Sequence, residues 1–308
     1  MHTAKNSLMI FFVFFVFIFL SADTSLALRS FILSPDQGIY GKMRWIKVEG
    51  KDTLLDIARD FGLGYNQIVS ANPKIDPWIP AQGSLVLLPD IFIPPRDRLS
   101  TGIVVNLAEM RLYYFYSDGF NNYMVTAPVG VGREGFFTKL GIYAIKSRDT
   151  SPTWYVPESI RQEDPSLPSK VPPGPKNPLG GYIFRLSRSS YGIHSTNMPW
   201  GVGRRVSHGC IRLYPEDIGT LYNLVPKGTL VRVTYEPIKI GYYKGDLWVQ
   251  VFDDYEDLIV EPIREVMSRI AIFEGSYGPF YINESTLQEA LSLKDGIPRK
   301  FATSQKRP

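Results

Sequence analysis

Thirteen apolar residues run unbroken from Leu8 to Leu20, behind a short polar start that carries Lys5. That is well short of the roughly 20 residues a bilayer-spanning helix needs. Ser25, Leu26 and Ala27 then place small residues at the −3 and −1 positions of a signal-peptidase site. The pattern predicts a cleaved signal peptide over 1–27, export, and a mature chain starting at Leu28. An uncleaved membrane anchor is the alternative, and the length of the run argues against it. No cysteine follows the run, so no lipid-modified N-terminus is expected.

From 45 to 90 the pattern changes to short alternating segments around a helical period. Leu54, Leu55, Ile57, Ala58 and Phe61 recur at helical spacing behind Asp52 or Thr53 as N-cap. Gly62 and Gly64 stop that helix, and a second begins near Asn66 and ends at Asn72-Pro73. "SLVLLP" closes the unit as a strand, which predicts a small βααβ body. "IPPRDRLS" (93–100) reads as a linker between two separately folded bodies.

Strand signals dominate the next stretch. "GIVVNLAEMRLYYFY" is a hairpin turning at Leu107–Glu109, and "NNYMVTAPVGVG" and "GIYAIKSR" continue the pattern. Helical periodicity returns only at "YPEDIGTLYNLV", where Pro215 and Glu216 mark a start, and "TLVRVTY" ends the unit as a strand. Residues 99–236 are therefore expected to form a mainly β domain, sandwich or barrel. Inside it, 149–181 holds eight prolines and no steady period. Such a long aperiodic insertion is either a functional lid or a plain surface excursion; Trp154 and Tyr155 would give a lid aromatic anchors. The tail, 237–308, predicts a small α+β extension. It has a hairpin turning at Lys244–Asp246, a helix near 262–273, a second helix near 285–293, and a frayed "KRP" end.

Composition adds less than pattern does. The net charge is +4, and removing Lys5 and Asp23 with the signal peptide leaves it unchanged. A mildly basic, evenly spread chain is no nucleic-acid signature, so no nucleic-acid partner is expected. The chain holds one cysteine, Cys210, and three histidines. Exported proteins usually pair their cysteines or omit them, so an unpairable exported thiol marks a reactive group.

Around that thiol stands "YGIHSTNMPWGVGRRVSHGCIRL". His194 ends an apolar strand, and Cys210 follows 16 positions later across a loop with Gly201, Gly203, Arg204 and Arg205. A glycine-bearing loop of that length can double back and bring the two together. The chemistry favours that meeting: a thiol with a pKa near 8.5 is mostly protonated at neutral pH and needs a base. Gly209 would let the backbone approach a bound carbonyl, with the Gly209 and Cys210 amides directed at a developing oxyanion.

Two resemblances follow from these residues. The 45–90 unit resembles a LysM domain through Val48, Gly50, Asp52-Thr53-Leu54, Ile57-Ala58, Phe61-Gly62, Ala71-Asn72-Pro73 and Leu87-Leu88-Pro89. That implies binding to the N-acetylglucosamine-containing glycan of peptidoglycan. "IHSTNMPWGVGRRVSHGCIRL" is similar to the signature of the L,D-transpeptidase (YkuD) catalytic domain, as are "APVGVGREGFFTKLG" and "SPTWYVP…VPPGPKNPLG". The closest likeness is to periplasmic, LysM-containing transpeptidases of Gram-negative bacteria. Thr138-Lys139 departs from the Thr-Pro common among relatives, which bears on local turn geometry only.

Carried over, the resemblance makes Cys210 the nucleophile and His194 the proton acceptor and donor. Ser207, His208, Gly209, Arg212 and Ser195 form the supporting shell, with His208 more a brace than a proton carrier. Arg212 has a duller alternative, an ion pair with Glu216 or Asp217. Arg204 and Arg205 are expected as a solvated rim that attracts carboxylates, beside Trp154 and Tyr155 as lid anchors. The implied reaction is acyl transfer from a peptidoglycan tetrapeptide stem, with no cofactor and no metal. The acceptor stays open between a stem diamino acid, a lysine of an outer-membrane lipoprotein, and water, the last making an L,D-carboxypeptidase.

Rival readings are weaker. His194, His208 and Cys210 would supply three zinc ligands, but no second cysteine or carboxylate motif supports them. A sortase shares the order His, Cys, Arg but separates His and Cys more widely, and papain-type amidases reverse the order. A non-catalytic glycan-binding wall protein is opposed by the intact His and Cys pair.

Overall fold

The computed structural model describes residues 28–187 and 190–305. The expected signal peptide and the "KRP" end lie outside the described residues. The "GIVVNLAEMRLYYFY" pattern becomes two antiparallel strands, Gly102–Asn106 and Arg111–Ser117. Met110 takes a φ of 56° in the turn between them. Side chains alternate across the pleat. Ile103, Val105, Leu112 and Tyr114 therefore enter one core, while Val104, Tyr113 and Phe115 enter a second on the opposite face. Because both faces are covered, the segment is apolar almost throughout.

These strands sit inside a nine-stranded sheet. Its order is Arg29–Ile32, Asn122–Pro128, Arg111–Ser117, Gly102–Asn106, Leu230–Thr234, Gly141–Thr150, Tyr182–Leu186, Gly192–His194 and Ile211–Arg212. Leu230–Thr234 runs parallel to Gly102–Asn106, and Gly192–His194 parallel to Ile211–Arg212. The long strand Gly141–Thr150 pairs with Leu230–Thr234 through its first half and with Tyr182–Leu186 through its second. Its register shifts between Ile145 and Ser147. A bulge of this kind bends a strand and increases its twist. The sheet curls until Arg212 and Gly130 exchange backbone hydrogen bonds of 2.8 and 2.9 Å. Helix Pro215–Leu224 adds Ile218 and Leu221 to the enclosed core. Residues 99–236 are thus mainly β, with a curled sheet.

Residues 44–88 fold as strand Arg44–Lys47, helices Leu54–Asp60 and Tyr65–Ala71, and strand Leu85–Leu88, the two strands antiparallel. Thr53 is the N-cap of the first helix and forms a capping box with Asp56. The unit has its own small core around Leu54, Ile57, Ile68 and Leu88. It is nonetheless docked firmly on the sheet. The Tyr65 and Asn66 amides donate to the carbonyls of Val202 and Gly203, each at 3.2 Å. Arg59 donates to both oxygens of Glu216 at 2.6 and 2.8 Å. Gly203 has a φ of 77°, and a Cβ there would stand 2.3 Å from the Tyr65 nitrogen, so the approach requires glycine. The 93–100 segment is also packed rather than loose: Ile93 is buried and its carbonyl accepts from Lys239 Nζ at 2.6 Å.

The tail forms a four-stranded sheet in the order Ile238–Tyr243, Asp246–Val251, Arg299–Ser304, Phe280–Ile282, with helices Pro262–Tyr277 and Glu284–Leu293. Lys239 is fully buried and crosses to the nine-stranded sheet, where it meets Glu109 Oε1 at 2.8 Å and the Tyr113 hydroxyl at 3.1 Å. Tyr113 in turn donates to Glu109. Among the described residues no helix is long and apolar enough to cross a membrane.

Candidate active site

Strand pairing puts the two sequence candidates on adjacent chain segments. Ile193 lies against Ile211 and His194 against Arg212 in a parallel ladder. Continuing the register one residue back sets Cys210 beside Gly192. Residues two apart on a strand share a face, so Cys210 and His194 occupy one side of adjacent chains, displaced by two residues. The Gly192 amide there favours the Cys210 thiolate. The sequence left the doubling-back of the loop open; the short parallel pair accomplishes it.

His194 is only 3% exposed, and its Nδ1–H donates to the Ser195 carbonyl at 2.5 Å. That bond fixes the tautomer and leaves Nε2 as an acceptor. Burial, with Arg212 alongside, pushes the imidazole down to about 3. Burial pushes the half-buried Cys210 thiol up, while the Gly192 amide, Arg212 and Arg185 pull in the other direction. Both shifts run toward neutral partners, a thiol and an imidazole. Arg212 is itself pushed down by burial, and its Nε is buried without a hydrogen-bond partner among the described residues. Because Cys210 is the only thiol, this state is directly measurable. Alkylation of the protein by iodoacetamide should keep rising with pH beyond the ordinary thiol range near 8.5. A plateau of reactivity between about pH 4 and 7 would mean a preformed ion pair instead.

The Ser-His-Gly-Cys turn is braced from within. Ser207 Oγ donates to the Cys210 carbonyl at 2.6 Å and accepts from the Gly209 amide at 3.1 Å. The expected pair of oxyanion donors therefore loses one member: the Gly209 amide is already engaged, and only the Cys210 amide stays a candidate. Gly209 takes a φ of 106°, and a Cβ on it would lie 2.4 Å from the Tyr191 ring. The glycine is required by Tyr191, a neighbour the sequence reading did not single out. Ser195 is buried at 1% exposure with its hydroxyl unpartnered among the described residues. Gly180, at the root of the long insertion, passes directly over it, where a Cβ would stand 2.5 Å from Ser195 Oγ.

That insertion is ordered. Trp154–Tyr155 pairs with Lys170–Val171, helix Glu158–Glu163 lies between them, and buried Asn177 donates to the Pro152 carbonyl at 2.8 Å. Tyr155 is 73% exposed. The helix reaches the thiol's own turn through Glu163, whose Oε2 lies 3.0 Å from His208 Nε2 and 2.7 Å from Arg133 Nη2. Arg133 Nη2 also stands 3.0 Å from the same His208 nitrogen. His208 either donates to Glu163 or accepts from Arg133, and its ring packs edge-on against Phe136. His208 and Arg133 hold the Glu163 carboxyl below the usual carboxylate range. No local pattern in the sequence marks Glu163, which lies 45 positions before its partner. If this contact latches the insertion, Glu163→Ala should speed modification of Cys210 by a bulky maleimide severalfold while leaving iodoacetamide unaffected. Equal rates for both reagents would make the segment a plain surface excursion.

The two arginines of the expected rim are partly exposed and each lies over an aromatic ring. Arg205 pairs with Glu256 at 3.3 Å and lies over the Tyr255 ring at 4.2 Å. Arg204 lies over the Tyr65 ring at 4.6 Å. The alternative ion pair of Arg212 with Glu216 does not form, because Glu216 is taken by Arg59. Among the described residues no three His, Cys, Asp or Glu side chains gather as a metal-holding group; His208 turns instead to Glu163 and Arg133.

Comparison with known proteins matches residues 100–233 to the L,D-transpeptidase catalytic domain, YkuD. Probable L,D-transpeptidase ErfK/SrfK of Escherichia coli (strain K12) is 33% identical over 301 residues, covering 93% of this chain and 94% of that protein. Probable L,D-transpeptidase YbiS of the same strain is 40% identical over 254 residues, covering 78% and 80%. The NMR structure of the catalytic domain from E. faecium L,D-transpeptidase aligns with 44% of this chain and 98% of its own at 25% identity and a TM-score of 0.34.

Proposed function

Since the chain belongs to the L,D-transpeptidase family, we propose that it transfers acyl groups from peptidoglycan tetrapeptide stems through a thioester on Cys210. The observation that supports this reading is the short parallel pair that runs the chain of the lone thiol alongside the strand of a buried, tautomer-fixed imidazole. As the carbonyl of the third stem residue is attacked, the Cys210 proton passes to His194 Nε2 and the S–C bond forms. The tetrahedral oxyanion is met by the Cys210 amide and the field of Arg212. The C–N bond to the terminal D-alanine then breaks, and His194 returns the proton to the leaving amine. An acceptor amine repeats the sequence in reverse, giving up its proton to His194 as the thiol is released.

A neutral resting pair suits a thiol that must wait in an oxidising compartment, since the thiolate is the species that oxidises. His208 acts as a brace between the turn and the insertion, and Ser207 holds the turn in shape. Trp154 and Tyr155 line the approach, and the insertion limits water so that the thioester waits for an amine. The 45–90 unit is a LysM module that holds glycan, the protein works in the periplasm after loss of residues 1–27, and the tail serves as a packing surface. The acceptor is a stem diamino acid or an outer-membrane lipoprotein lysine. Incubating the protein with a tetrapeptide donor, with and without a diamino acceptor, tests the reading by mass spectrometry. Loss of D-alanine with a new amide supports transfer. Loss with only a tripeptide product supports the carboxypeptidase alternative, and no loss leaves a glycan-binding wall protein.

A further inference from the structure

Between the 44–88 unit and the catalytic sheet lies a groove of about 260 Å³. Tyr65 and Trp78 stand on one wall, and Pro199, Trp200 and Tyr214 on the other. Trp78 and Trp200 are 52% and 53% exposed, unusual for the largest apolar side chain, whose ring normally finds cover. Contacts within the protein hold Trp78, Tyr65 and Tyr214. The Trp78 amide donates to Asp76 Oδ1 at 2.8 Å. The Tyr65 ring lies 6.2 Å from that of Trp78, beneath the Arg204 guanidinium. The Tyr214 hydroxyl donates to the Leu63 carbonyl at 3.2 Å.

The chemistry of the walls restricts the occupant. At the groove Arg59 is paired with Glu216 and Asp56 accepts from the Thr53 cap, while Arg204 covers the Tyr65 ring. Flat aromatic plates edged by polar groups suit a ring that shows C–H faces and an equator of hydroxyl and acetamido groups. We propose that the groove is a saccharide site for a strand of N-acetylated amino sugars, and that Trp200 of the catalytic unit is one of its two platforms. The proposal rests on the glycan reading above and goes beyond it by assigning half of the grip to the catalytic unit.

Trp200 lies in the turn Pro199–Gly201, on the loop that leads from His194 to Cys210. The next residues of that loop, Val202 and Gly203, accept the Tyr65 and Asn66 amides. Glycan held against Trp200 is therefore held by the segment that carries the thiol, so sugar and stem peptide would be positioned together.

Titrating the full chain calorimetrically with chitotetraose, and pulling it down with insoluble peptidoglycan, tests the assignment. Trp200→Ala and Trp78→Ala should each weaken binding at least about tenfold, a loss of about 1.4 kcal/mol. Trp200→Phe should recover part of it, with the melting temperature unchanged in all three. If Trp78→Ala weakens binding and Trp200→Ala does not, the composite groove is overturned while the glycan reading stands. Wild type that binds neither ligand overturns both.

Discussion

Cys210→Ala should reduce D-alanine release from a tetrapeptide donor by at least about 10⁴-fold, because removal of a nucleophile removes the covalent route and not merely part of it. The fold should survive. The side chain is small and half-buried, and the bond that shapes the turn runs from Ser207 Oγ to the Cys210 carbonyl, which alanine keeps. Cys210→Ser is the sharper control, since a hydroxyl in the same place retains size and polarity but ionises far less readily. It should be equally silent. Single-turnover mass spectrometry of wild type should show an adduct one tripeptide heavier, absent in both variants. Turnover persisting in either would remove the thioester from the mechanism.

His194→Ala should slow acylation by about 10²- to 10⁴-fold, the range typical of general acid–base help. His208→Ala should cost much less, since that ring faces Glu163 and Arg133. A second readout separates a base from a packing residue. His194 is pushed down to about 3 in the folded protein, whereas an unfolded chain would titrate it near the ordinary 6.5. Between those values the unfolded state binds a proton the folded state does not, so stability is fully present above about 6.5 and declines as pH falls toward 3. Urea denaturation across that window should be less pH-dependent in His194→Ala than in wild type. Equal acylation losses in the two histidine variants would reverse their roles.

Local signals were the legible ones. The Thr53 cap, the start at Pro215 and the hairpin around Leu107–Glu109 all depend on residues within a few positions of each other, and the structure contains each. The likeness between "SHGC" and an upstream histidine identified the candidate pair, though not the parallel ladder that joins them. What stayed hidden was long-range. Strand Arg29–Ile32 is defined by its partner Asn122–Pro128, some 95 positions on, and Arg299–Ser304 by Asp246–Val251. The two-residue strands of the insertion are too short to show a period. The docking of the N-terminal unit joins close backbone contacts at Gly64 and Gly203 to an Arg59–Glu216 pair 157 positions apart, and neither has a local pattern.

Lys239 makes the tail part of the interior of the nine-stranded sheet's own domain. Every strand of that sheet precedes it in the chain, yet its ammonium group meets Glu109 and the Tyr113 hydroxyl in the second core. A buried carboxylate without its cation is costly, so a chain ending before Lys239 should be markedly less stable than the full one, and the boundary between domain and extension is one of sequence and not of stability.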